Sequence, residues 1–218
     1  GGVETVNDLT ARAADDLLQI PLFGPGMLEE VRDKLTARGL ALHPVSQALQ
    51  ENESVLTELD SQVGDGDIGI SLARGARAID DALDSLALDR PGVALQQLSA
   101  ILRRVLGGTS GPLYAVFALR AGVTLAAHTH PDTIAAWAQA LQAGCEAMIR
   151  LGGANAGDRT MLDALIPAAT VLASQPQDAT PLVAATQVVN AAQAGAEQTR
   201  HGICTHQDQF LSKKCCGK

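Results

Sequence analysis

Leu59-Asp-Ser-Gln-Val-Gly-Asp-Gly-Asp-Ile-Gly-Ile-Ser71 is the stretch on which the reading of this chain turns. It sets three carboxylates, Asp60, Asp65 and Asp67, among Gly64, Gly66 and Gly69. Glycine lets the backbone turn tightly and leaves room for a ligand. Three acids on one tight turn repel each other unless a cation lies between them. Hard oxygen donors without His or Cys suit Mg²⁺, usually held by a few carboxylates together with phosphate oxygens. The stretch therefore reads as a Mg²⁺–nucleotide loop, with an ordinary acidic turn as the plain alternative.

Two other readings of the same residues fail. Gly64-x-Gly66-x-x-Gly69 matches the dinucleotide-binding fingerprint only formally. That fingerprint follows an apolar strand, whereas Ser54 to Leu59 reads as charged helix, and Asp65 and Asp67 would repel a pyrophosphate. A calcium loop counted from Asp65 puts Ala76 at position twelve, where a bidentate Glu belongs.

The wider chain limits the function classes. Its 218 residues carry a net charge of −8 and are 46% apolar but only 2% aromatic. A core of small side chains favours closely packed helices. No basic patch follows a nucleic-acid backbone, so DNA and RNA are not expected partners. The most apolar run, Leu113 to Ala127, is interrupted by Arg120 and too short to span a bilayer, so no membrane partner is expected either. The chain opens on Gly1-Gly2 with no signal peptide, as a processed or excised segment would. Cys145 and three cysteines near the C-terminus do not form a disulfide framework, and the expected setting is cytoplasmic.

Periodicity outward from the acidic loop is helical throughout. Val6, Leu9, Ala13 and Leu17 give a first helical pattern and Glu29 to Arg38 a second. His43-Pro44 opens a helix with an imperfect apolar face of Val45, Leu49, Val55, Leu56 and Leu59. Beyond the loop, Leu72 to Leu86, Leu98 to Val105, Pro112 onward, Ile134 to Met148, Met161 to Leu172 and Leu182 to Val189 repeat every three or four residues. Asp132 is the expected cap of the Ile134 helix, and Thr180-Pro181 opens the last of these. No strand is expected. Residues 1–40 read as an extension, 41–200 as one all-α domain and 201–218 as an atypical tail.

Two further turns are glycine-rich. Gly107-Gly108-Thr109-Ser110-Gly111 precedes Pro112 and offers N–H groups and hydroxyls at a helix start, a natural phosphate cradle without the Lys of a P-loop. Its plain reading is a helix stop followed by an N-cap. Gly152 to Met161 contains Gly157-Asp158-Arg159-Thr160. There Asp158 reads either as a cap or as part of a site that sets Gly152 and Met161 against an adenine ring. In an up-and-down array, two helices separate each of these turns from the next, so all three fall at one rim.

Taken together, Leu59-Asp60…Gly64-Asp65-Gly66-Asp67…Gly69, Gly107 to Tyr114 and Gly157 to Leu165 resemble the nucleotide-binding L subunit or C-terminal domain of dihydroxyacetone kinases. The likeness runs from about Val45 to Arg200. It implies an antiparallel up-and-down barrel of about eight amphipathic helices, with the last one missing here. It implies two Mg²⁺ held by Asp60, Asp65 and Asp67, with ATP or tightly bound ADP. By motif position Ile68, Gly69, Ile70, Ser71, Thr109 and Ser110 would touch phosphate, and Gly152 and Met161 would lie near the base. No side chain is singled out as catalytic, since phosphoryl transfer rests on positioning and charge neutralisation. The sugar would sit on a separate K subunit or domain, linked to a histidine there, and a homodimer is compatible with the likeness.

Departures qualify the resemblance. Members recharged by a phosphotransferase commonly carry His where this chain has Ile68; with Gly66 and Arg159, this favours exchangeable ATP. The family's Gly-Arg-Ala/Ser-Ser-Tyr-Leu segment and final helix are absent beyond Arg200, and a shifted reading frame across Gln209 to Leu211 would account for that. His201, Cys204, His206, Cys215 and Cys216 match no familiar zinc module. Two rival functions stand beside the kinase. One is an inert nucleotide-binding module. The other is a fatty-acid-kinase-like domain, whose loop usually reads Asp-Gly-Asp-Thr-Gly-Thr-Asn.

Overall fold

Alanine and glycine at the helix crossings set how closely this protein packs. The computed structural model describes residues 42–62, 64–176 and 179–200. Among them are eight α-helices: α1 (Leu42–Glu51), α2 (Glu53–Ser61), α3 (Ile68–Ala82), α4 (Pro91–Val105), α5 (Ser110–Ala126), α6 (Ile134–Gly152), α7 (Leu162–Ala173) and α8 (Pro181–Gln198). A 3₁₀ turn, Leu83–Ser85, follows α3, and the described residues contain no strand. The all-α expectation holds. The patterns at Val6 to Leu17 and Glu29 to Arg38, and the tail from His201, lie outside the described residues.

From α4 onward each helix packs mainly on its chain neighbours, as in an up-and-down array, while α3 packs most on α1. Leu86, Leu98 and Ile101 form a cluster between α3 and α4, Ala121, Leu125, Ala136 and Ala140 another between α5 and α6, and Cys145, Met148, Leu162 and Ala169 a third at α6 and α7. Fully burying a side chain such as Leu125 is worth about 1.5–3 kcal/mol. At the α4–α5 crossing a Cβ on Gly92 would stand 2.6 Å from the Ala126 amide nitrogen, so the two backbones nearly touch. Ser99 Oγ donates across the same pair to the Ala115 carbonyl at 2.7 Å.

The single helix expected from His43 to Leu59 is two. Asn52 separates them, with φ −98° and ψ 13°, and its side-chain amide donates to the Ala48 carbonyl at 2.8 Å. Both pieces then fasten to α3. Ser46 and Gln50 of α1 bind Asp80, and Arg77 pairs with Glu53 of α2 at 3.0 Å. As a result Val45, Val55 and Leu59 are exposed rather than forming the expected apolar face. The cap of α6 is Thr133, whose Oγ1 accepts from Ala136 N at 3.3 Å, and not the exposed Asp132 beside it. α5 begins at Ser110, so Pro112 lies within its first turn rather than at its start.

One crossing ties the last helix to the site. Pro167 inside α7 has no N–H for the Asp163 carbonyl four residues before it. Gly195 of α8 packs on that carbonyl, and a Cβ there would collide with the oxygen. Gly195→Ala is therefore expected to push α8 away and destabilise the protein by about 1–3 kcal/mol, read as a lower urea midpoint at unchanged slope.

Candidate functional site

The acidic loop is folded by one of its own carboxylates. Asp60, in the last turn of α2, accepts through Oδ2 from the backbone N–H groups of Gly66 (2.9 Å), Asp67 (3.0 Å) and Ile68 (3.4 Å). This wraps the loop around the end of α2 and starts α3 at Ile68. It also gathers Asp60, Asp65 and Asp67, each offering one carboxylate oxygen, with those oxygens within 4.8 Å of one another. Asp60 is half-buried; Asp65 and Asp67 are exposed.

The cluster is electrostatically unbalanced. The Asp67 carboxyl is held above its ordinary value of 3.8, first by desolvation, then by the Asp65 charge and hydrogen bond and by Asp60, with Arg74 opposing. A carboxyl whose folded pKa lies above its unfolded one binds its proton more tightly in the fold. Its contribution to stability therefore falls as pH rises through the window just above 3.8. Exposure keeps the effect small. Without divalent metal, Asp67→Asn is expected to flatten part of the stability slope across the mildly acidic range, measured by urea unfolding. Three hard oxygen donors of like charge at this spacing fit a divalent cation such as Mg²⁺.

The expected phosphate residues lie on two neighbouring helix starts. Ile68, Gly69, Ile70 and Ser71 form the first turn of α3, with Gly69 and Ser71 buried, Ile68 half-buried and Ile70 exposed. The space left by Gly69 is filled by α2: a Cβ there would collide with the Glu53 carbonyl and the Thr57 hydroxyl. Thr109 is exposed and Ser110 half-buried at the start of α5. A Cβ on Gly107 would stand 4.0 Å from Ser71 Oγ, so this turn lies against the first. Neither Asp67 before α3 nor Thr109 before α5 caps its helix through a side chain, whereas Thr133 and Thr180 cap α6 and α8. Thr109 stands at the N-cap position of α5, as the plain reading of this turn has it, but makes no side-chain cap bond. Apart from the Ile68 N–H that Asp60 takes, the starts of α3 and α5 have no bond from an N-cap side chain, which leaves first-turn N–H groups for an anion.

The third turn completes the rim. Gly152 is exposed, and a Cβ on it would sit 3.1 Å from Leu113 of α5. Met161 and Ala154 pack, partly buried, on the α6–α7 cluster beside Leu113 and Tyr114. Burial raises the Tyr114 hydroxyl above its ordinary value and pushes the Cys145 thiol up to about 11, which leaves that thiol unreactive at neutral pH. Asp158 Oδ2 accepts from Asn155 N at 2.7 Å within the turn. The first turn is thus acidic and lies against the second, which is rich in N–H and hydroxyl groups, and the third meets α5, the helix after the second, where Gly152 approaches Leu113.

A family model described as the DAK2 domain matches residues 62–213. The chain belongs to the DAK2 domain family. Among DAK2 relatives, the ADP-binding DhaL subunit of PEP-dependent dihydroxyacetone kinase 2 of Listeria innocua is 34% identical over 163 residues, covering 74% of this chain and 75% of that subunit. Human triokinase/FMN cyclase is 38% identical over 186 residues, 81% of this chain and 32% of the enzyme. The Citrobacter freundii dihydroxyacetone kinase crystal structure in complex with AMP-PNP and Mg²⁺ aligns with TM-score 0.61 and 34% identity, over 78% of this chain and 29% of that one. The chain therefore spans about a third of the human and Citrobacter proteins. No helix among the described residues is long and apolar enough to cross a membrane.

Two residues escaped the sequence reading in their actual roles. Asp60 was legible as a candidate ligand but not as the anchor of the loop. Asp163, buried at the start of α7, was not singled out at all, although the Thr160-x-x-Asp163 spacing is a capping signal.

Proposed function

We propose that the chain is the Mg²⁺–nucleotide half of a short-ketose kinase and phosphorylates a sugar held by a separate K subunit or domain. The observation that carries this reading is the convergence of three carboxylates beside the starts of α3 and α5, neither of which is capped by its own N-cap side chain. Asp60, Asp65 and Asp67 would hold the metal, two ions in the fullest form of the reading. The bound ions would neutralise the polyphosphate and the charge that develops on transfer.

The chain's own residues divide the remaining work by polarity. The first turn of α3, from Ile68 to Ser71, and Thr109 and Ser110 would meet the phosphates. Ile68 N–H is held by Asp60 and Ser71 N–H by the Asp67 carbonyl, so the Gly69 and Ile70 N–H groups and the hydroxyls are the donors. Gly152 and Met161, at the two ends of the third turn, take the flat adenine. Ile68 in place of a polar residue favours exchangeable ATP over permanently bound ADP.

The test mixes the chain with a K subunit from a relative, ATP, Mg²⁺ and dihydroxyacetone, and follows ADP release. Turnover is expected only with both proteins present. Turnover by the chain alone would overturn the division of labour. Nucleotide binding without turnover in the mixture would support an inert binding module instead.

A further inference from the structure

The turn between α6 and α7 has the most unusual backbone among the described residues. Gly157 has φ 94° and Arg159 φ 58°, and Arg159 is the one described residue other than glycine with positive φ. An L-residue there is held against its preference. Something must hold the turn in this shape.

Asp163 makes the contacts that can do so. Its side chain, buried in the first turn of α7, reaches back along the chain. Oδ2 accepts from Thr160 N at 2.9 Å and Oδ1 from Gly157 N. Thr160 Oγ1 in turn accepts from Leu162 N at 3.2 Å. The Thr160 and Leu162 bonds make an ordinary capping box, which a helix needs without any ligand. The Gly157 bond is not part of that box. Gly157 lies five residues before α7, and binding it fastens the far limb of the turn. The two left-handed residues are thus bracketed within one carboxylate's reach. The backbone of Asp163 is also constrained, because Gly195 of α8 packs on its carbonyl.

We propose that Asp163 is a positioning residue for the base side of the site: by holding Gly157 to Thr160 in shape it sets Met161 for contact with a nucleobase, without affecting phosphate binding. The inference rests on the nucleotide reading given above. An ionised carboxylate accepts both N–H groups. An asparagine of nearly the same volume accepts one and presents its own N–H₂ to the other. Asp163→Asn therefore opens one arm of the bracket while leaving the helix and the acidic loop in place.

The test is calorimetric titration of the full chain, in Mg²⁺, with ADP and separately with inorganic tripolyphosphate. Asp163→Asn is expected to weaken ADP about tenfold, the scale of one lost hydrogen bond to a charged group, and to change tripolyphosphate less than about twofold. Equal weakening of both ligands would make Asp163 merely structural and overturn the proposal, as would unchanged ADP binding. A wild-type chain that binds neither ligand would instead overturn the nucleotide reading and the proposal with it.

Should Asp163→Asn fail to fold, as judged by helical circular dichroism, Gly157→Ala serves as the second variant. A Cβ there meets nothing within 4 Å, so only the backbone angle is strained. The same selective loss of ADP is expected. Equal loss of both ligands, or no loss, overturns the proposal.

Discussion

Asp65→Asn is expected to weaken Mg²⁺–ADP binding by about 100-fold or more while leaving the fold intact. Changes one layer outside a metal already cost roughly 10–100-fold in affinity, and Asp65 is a candidate direct ligand. It is also the cleanest of the three acids to probe. Asp60 folds the loop through three N–H bonds, so its loss would confuse metal binding with loop geometry. Asp65 is exposed and accepts no backbone hydrogen bond among the described residues. In chelator the variant should melt no lower than wild type, because one of three mutually repelling charges is gone. With Mg²⁺–ADP a hundredfold above its Kd, the wild type should gain about 2.7 kcal/mol by linkage, and the variant should lose most of that increment. An unchanged titration would remove Asp65 from the metal set. A lower melting temperature in chelator would show a folding role that the geometry does not contain.

Gly69→Ala is expected to cost both stability and binding. The missing side chain is the contact between α2 and α3, since a Cβ would run into the Glu53 carbonyl and the Thr57 hydroxyl and lie 2.7 Å from the Thr57 amide nitrogen. Two of those three atoms are backbone, which no rotamer change can move aside. α2 must move away from α3. Overpacking of this kind costs about 1–3 kcal/mol, or roughly 2–12 °C in Tm for a chain of this size. The displacement also carries Asp60 off the loop it organises, so Mg²⁺–ADP affinity should fall with stability. A variant that melts lower yet titrates normally would show that the position of α2 does not govern the site.

The contrast between the sequence and the structure follows from what each interaction leaves in the sequence. The long helices were legible because burial on one face imposes a period on Leu98 to Val105 and Ile134 to Met148. The three glycine turns were legible because their composition is itself the signal. The break at Asn52 was not, because a side-chain amide bonding Ala48 leaves the apolar spacing on either side undisturbed. Asp132 and Thr133 are both good caps, and only the backbone decides between neighbours. The anchoring role of Asp60 depends on N–H groups six to eight residues away, a reach no periodicity encodes. Gly69 was read as room for a ligand, and its space is occupied by another helix. The likeness of motifs and their order identified the family correctly, and the DAK2 match confirms it.

The serial packing from α4 to α8 also bears on how the chain reaches its native state. Contacts between successive helices join residues close together in sequence, so little loop-closure entropy must be overcome before each becomes favourable. Collapse should be rapid and begin in the middle, where α4, α5 and α6 share their contacts. The rim, assembled from three widely separated turns, would then be the last feature to form. Refolding followed by helical signal should run ahead of refolding followed by ADP capture.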